Sequence, residues 1–127
     1  MFEFLKALPD ELVKFAENLP EHSIGKNLNL HTQNNTPQLK EGNLVLFSVA
    51  ENRNNVNKPS KIPNFDAVRK EFYSLATGNW SFKLADIGEI APGDSVSDTY
   101  FAVTQLIKEL KKEKCLPVVI GGGQDIV

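Results

Sequence analysis

Five carboxylates stand where an oxygen-ligated metal or an acid–base pair could be assembled. They are Asp86 and Glu89 in "LADIGEI", Asp94 and Asp98 in "PGDSVSD", and Asp125 in "IGGGQDIV". Oxygen donors of this kind suit Mg²⁺, Mn²⁺ or Ca²⁺. Asp94 and Asp98 lie at the opening of a helical pattern, where negative charge offsets the helix dipole, and a helix-terminal role explains them. Asp86 and Asp125 each follow an apolar β-like run but have no second ligand at a diagnostic spacing, so a structural role is the default for both. Gly121-Gly122-Gly123 raises a phosphate loop, because backbone N–H groups at a helix start bind anions. Its spacing matches neither the GxGxxG fingerprint nor the Lys-bearing Walker pattern, which leaves a tight strand-to-loop turn. His22 and His31 lie in a polar stretch without a carboxylate or cysteine pattern and read as surface residues. Cys115 has no histidine nearby in sequence and reads as a small buried hydrophobe. Ser81, Ser95 and Ser97 lack the G-x-S-x-G context of a nucleophile elbow.

The elements that must position these groups alternate. Residues 9–18 carry Pro9 and then Leu12, Val13, Phe15 and Ala16 near helical spacing, and Leu19-Pro20 ends the pattern. Residues 20–42 are polar and connecting, with a short extended piece at 28–31. "NLVLFSVA" (43–50) is a nearly continuous apolar run, as a strand covered on both faces requires. The Asn- and Pro-rich stretch 51–64 follows as a loop. In "FDAVRKEFYSLA" (65–76), Phe65, Val68, Phe72 and Leu75 fall three or four apart, which predicts a helix buried along that stripe with Asn64 as its cap. "WSFKLADIGEI" (80–90) predicts a second strand ending near Asp86-Ile87-Gly88. Ser95 and Asp98 form a capping-box pattern ahead of a long helix. Its predicted apolar stripe is Val96, Tyr100, Val103, Ile107 and Leu110, and its lysine-rich end suits the negative pole of the dipole. "CLPVVIGG" (115–122) is the third strand, with Pro117 near its start, where a missing N–H is tolerable. Phe72, Trp80, Phe82 and Tyr100 read as core aromatics. Helix, strand, helix, strand, helix, strand predicts an α/β fold with a parallel sheet of about three strands, right-handed crossovers and flanking helices. Ligands of such sheets bind outside the strand carboxyl ends. Three segments lie there: 51–64, Asp86 with Gly88 and Glu89, and Gly121 to Asp125.

Composition narrows the function classes. The chain has 127 residues, 41% hydrophobic and 24% charged, with a net charge of -2. That is the profile of a globular domain with no electrostatic reason to bind nucleic acid or an anionic membrane. A single cysteine cannot form an intrachain disulfide, which with the absence of a signal-peptide pattern predicts a cytoplasmic protein. No apolar run approaches the ~18 residues of a membrane helix.

Taken together, three stretches resemble the ureohydrolase superfamily of arginases, agmatinases and formiminoglutamases. "LFSVAENRNNVNKPSKIPNFDAVRKEFYSL" is similar to that family's first strand, long loop and following helix with its Pro-to-Arg pattern. "LADIGEIAPGDSVSDTYFAVTQLIKEL" is similar to the second strand with its Asp-x-Gly turn and the next helix. "LPVVIGGGQDIV" is similar to the strand and Gly-Gly-Asp-His-Ser signature. The resemblance covers residues 43–127, and residues 1–42 resemble the N-terminal extension of the formiminoglutamase-like branch. It implies the N-terminal portion of a three-layer arginase-like fold. It also implies Mn²⁺ in the parent, a small linear amidine such as formiminoglutamate or an arginine-like molecule as substrate, and hydrolysis of a C–N bond by a metal-bridging hydroxide. The family's signature His is a metal ligand. Here Gln124 occupies that position and Gly123 the preceding Asp, with Asp125 as the available substitute ligand. The family's other metal ligands lie farther down its chain. The expectation is therefore an N-terminal fragment, inactive and metal-free by itself, whose 116–121 strand has a free edge and self-associates, the parent being a homo-oligomer. The alternative is a non-catalytic relative that binds a ligand or partner through a degraded metal site.

Overall fold

The computed structural model describes residues 2–50, 65–78 and 83–121. Four strands form one all-parallel sheet: β1 (Asn29–Leu30), β2 (Leu44–Val49), β3 (Leu84–Ile90) and β4 (Leu116–Ile120), in the order β1-β3-β2-β4. The sequence predicted about three strands; the fourth is the short extended piece near residue 30, added at the edge beside β3. Residues of the N-terminal segment thus build part of the same sheet. The α/β class and the parallel pairing agree with the alternation of elements.

Helices cover both faces. Helix α3 (Val96–Lys112) lies on one side, where Val45, Phe47, Val49, Ile87 and Ile90 of the sheet meet Ala102, Val103, Leu106 and Leu110. Helices α1 (Asp10–Glu17) and α2 (Asp66–Tyr73) form a second cluster in which Leu8, Leu12, Ala16 and Tyr73 are buried. A central strand covered on both faces has to be apolar throughout, and β2 is buried from Val45 to Val49.

Helix α3 starts as its sequence dictates. Ser95 Oγ accepts from Asp98 N, and Asp98 Oδ2 accepts from Ser95 N, closing the capping box. Its buried line runs through Thr99, Ala102, Val103, Leu106 and Leu110. This line is rotated from the predicted stripe, so that Val96, Tyr100 and Ile107 flank it half-buried. The helix ends on Lys111 and Lys112, and Lys114 turns the chain into β4 with φ 57°. Cys115 follows, buried as expected, with its Sγ donating to Lys40 O at 3.2 Å. Burial, then the negative charge of Glu113, push its thiol pKa upward.

Strand β3 departs from expectation in an informative way. It does not end at Asp86-Ile87-Gly88 but runs through them to Ile90. Leu46 pairs with Asp86 and Ser48 with Glu89, so β3 carries one more residue than β2 across this interval. This is a β-bulge, and Gly88 supplies it with φ +102°. A Cβ at Gly88 would meet Lys6 O at 2.2 Å. Glycine is what lets Lys6 and Glu89 exchange two backbone hydrogen bonds (2.8 and 3.1 Å) and dock the N-terminal segment on the strand.

Candidate functional site

The bulge sets which side chains share a face. Without it, Asp86 and Glu89 would point to opposite sides of the sheet. With it, both lie on the face of Leu46 and Ser48, toward α2.

Helix α2 answers that face with polar groups. Of the predicted stripe only Phe65 is buried: Val68 is 47% and Leu75 56% exposed, whereas Arg69 is 1% exposed and Tyr73 fully buried. The inward line is Phe65, Arg69 and Tyr73, spaced by four. Phe65 holds the N-cap position and makes no side-chain cap, and Asn64 lies outside the described residues. Phe72 is only half-buried.

Arg69 donates Nε to Asp86 Oδ2 at 2.8 Å and Nη2 to Asp86 Oδ1 at 3.2 Å, a bidentate pair. It also donates Nη1 to Ser48 Oγ at 3.0 Å and Nη2 to the Gly88 carbonyl at 2.8 Å. Tyr73 OH donates to Asp86 Oδ2, and Gly88 N–H to Asp86 Oδ1 at 3.1 Å. Ser48 Oγ passes the network to Glu89 Oε1 at 3.3 Å. No buried side-chain nitrogen or oxygen among the described residues lacks a partner. Burial, and next the charge of Asp86, raise the Tyr73 pKa far above the ordinary phenol value. Burial alone pulls the Arg69 pKa down, but Asp86, with smaller contributions from Tyr73 and Glu89, more than offsets it and the net shift is upward. The chemical consequence is plain. Asp86 already accepts four hydrogen bonds, so it pins α2 to β3 and has no lone pair left to ligate a metal.

The other candidates separate. His31 is buried, not on the surface: its Nδ1–H donates to Ile87 O at 2.9 Å, and its ring meets Phe2 edge-on at 4.8 Å. His22 is exposed. Asp98 serves the helix cap, and Asp94 is exposed beside it. Gly122, Gly123, Gln124 and Asp125 lie outside the described residues, as do 51–64, Trp80, Ser81 and Phe82. No group of three or more His, Cys, Asp or Glu side chains among the described residues could hold a metal ion. At the expected site the sequence offers one amide, Gln124, and one carboxylate, Asp125. A neutral amide is a weak Mn²⁺ ligand beside imidazole, whereas a carboxylate oxygen is a suitable one.

A cleft of about 280 Å³ lies between the N-terminal segment and α2, lined by Lys6, Pro9, Asp66, Arg69 and Glu89. Three of its four charged residues are engaged within the protein: Arg69 and Glu89 belong to the network above, and Asp66 has a partner of its own. From β2 the chain crosses through α2 to β3 on one side; from β3 it crosses through α3 to β4 on the opposite side of β2. The winding therefore reverses between β2 and β4, whose carboxyl ends lie side by side where Ser48 pairs with Ile120. Neither Arg69, Tyr73 nor His31 was expected as a buried polar group. The signal for the first two was Asp86, a charge within a strand otherwise too apolar to leave it in water.

Comparison with protein families, with curated proteins and with solved structures finds no match. No helix among the described residues is long and apolar enough to cross a membrane.

Proposed function

We propose that the chain binds a small linear amidine, of the formiminoglutamate or arginine kind, at the carboxyl edge of its sheet. On this reading it is a ureohydrolase-like unit that forms a wall of the substrate site and does not by itself hydrolyse the C–N bond. The observation that carries the reading is the reversal of winding between β2 and β4. Open parallel sheets bind ligands outside the carboxyl ends of their strands at such a point. Gln124 and Asp125 follow β4 by four and five residues in sequence, so the stretch similar to the ureohydrolase signature comes directly after that strand in the chain. An amide and a carboxylate can accept hydrogen bonds from an amidinium group, a task that needs no metal.

The test is an assay of the purified protein with formiminoglutamate and with arginine, with and without added Mn²⁺, alongside a calorimetric Mn²⁺ titration. The expected result is no product and no stoichiometric Mn²⁺ uptake. Turnover that depends on Mn²⁺ overturns the non-hydrolytic role. A non-catalytic ligand- or partner-binding relative is the second reading, favoured by the neutral Gln124 at the signature's His position. Failure of every amidine to bind, with a partner protein retained, would select it.

A further inference from the structure

Among the described residues, β4 is an edge strand with apolar side chains exposed: Leu116 is 61%, Val118 40% and Val119 38% exposed. Its backbone polarity is legible residue by residue. Leu116 N–H donates to Asn43 O at 2.9 Å, so Leu116 turns its peptide groups toward β2. Backbone groups alternate sides along a strand, and Val118 and Ile120 therefore also face β2. Pro117 and Val119 face outward, followed by Gly121. Pro117 sits where its missing N–H costs β2 nothing, and the free edge offers the Pro117 carbonyl and both groups of Val119.

We propose that this edge pairs with a second copy of the chain, antiparallel about a two-fold axis at Val119. Val119 of each copy then donates its N–H to the other's Val119 carbonyl. Gly121 N–H of each donates to the other's Pro117 carbonyl. The proline forfeits only the return bond to Gly121, so the edge is self-complementary in donors and acceptors despite it. The same register sets Val118 of one copy beside Ile120 of the other, a cross-strand β-branched pair on the face that β4 shares with Leu46 and Ser48. The two sheets become one continuous sheet, and each β4 ceases to be an edge. The opposite edge is unsuited to this, because β1 is only two residues long.

Charge exchange at the axis tests the pairing. Val119→Lys and Val119→Glu each place like charges across the two-fold. Each is expected to sediment as a folded monomer with unchanged far-ultraviolet circular dichroism, while the unsubstituted protein sediments as a dimer at 100 μM, a concentration of about 10⁻⁴ M chosen for a weak strand-paired interface. Mixing the two variants is expected to restore a dimer. A cysteine probe covers the case in which either charge unfolds the chain. In a Cys115→Ser background, Val119→Cys faces itself at the ~5.5 Å Cα separation of a hydrogen-bonded pair and should cross-link on mild oxidation. Leu116→Cys, at a more exposed position, should not. A monomer for the unsubstituted protein, no recovery on mixing of folded variants, or equal cross-linking at residues 116 and 119 each overturns the proposal.

Discussion

Replacing Arg69 by Met removes four hydrogen bonds at once: two to Asp86, one to Ser48 and one to the Gly88 carbonyl. Asp86 then keeps only Tyr73 OH and Gly88 N–H, neither of which carries charge. Breaking a buried pair by deleting one partner costs about 3–5 kcal/mol, because the remaining charge is left without compensation. Set against a total stability of about 5–15 kcal/mol, that is a large share. For a domain of this size it corresponds to a fall in Tm of about 10–20 °C. The assay is urea unfolding followed by circular dichroism, with the m-value checked for constancy. The double substitution Arg69→Met with Asp86→Leu should recover about 2 kcal/mol or more of the sum of the two single losses, since no charge is then stranded. Tyr73→Phe, which removes one donor to a charged acceptor, should cost about 1.5–3 kcal/mol. A loss below about 1 kcal/mol for Arg69→Met, or strict additivity in the cycle, would refute the claim that this network fastens α2 to the sheet.

Three further outcomes follow from the same structure. Gly88→Ala puts a methyl group 2.2 Å from Lys6 O at φ +102°, and should cost about 3 kcal/mol or more while exposing the amides of Lys6 and Glu89 to hydrogen exchange. Tyr73 and Cys115 both have raised pKa values in the folded state, so the native protein holds protons that the unfolded chain releases. Stability is therefore full below the ordinary thiol and phenol values and falls as pH rises through about 9 to 10 and beyond, and Tyr73→Phe should flatten the phenol part of that decline in alkaline melts. Lys114→Gly relieves a left-handed backbone at the end of α3 and should raise stability by about 0.5–1 kcal/mol, measured as a higher urea midpoint at constant m.

What the sequence made legible was local. The capping box at Ser95 and Asp98, the lysine-rich helix end, the apolar β2 and the placement of Pro117 each depend on neighbours within a few residues, and each stands as read. The alternation of elements carried the parallel α/β class. The face of α2 was not legible from periodicity, because counting apolar residues cannot find a stripe whose inward members are Arg69 and Tyr73. Their burial is made favourable by Asp86, 17 and 13 residues away in sequence, and by a bulge that turns Glu89 to the same side. His31 failed for the same reason: its partner is a backbone carbonyl 56 residues distant. The Asp-x-Gly pattern that resembles a turn is a kink inside a strand, and its aspartate serves the fold. Gln124 and Asp125, read from the signature, lie outside the described residues.

The most direct measurement of the proposed role is backbone amide chemical-shift mapping of the protein during titration with formiminoglutamate and with arginine. The account predicts shifts grouped at Ala50, Ile120 and Gly121, at the carboxyl ends of β2 and β4, with the ligand recovered unhydrolysed. Shifts confined to Lys6 and Glu89 at the cleft beside α2, or none at millimolar ligand, would contradict it.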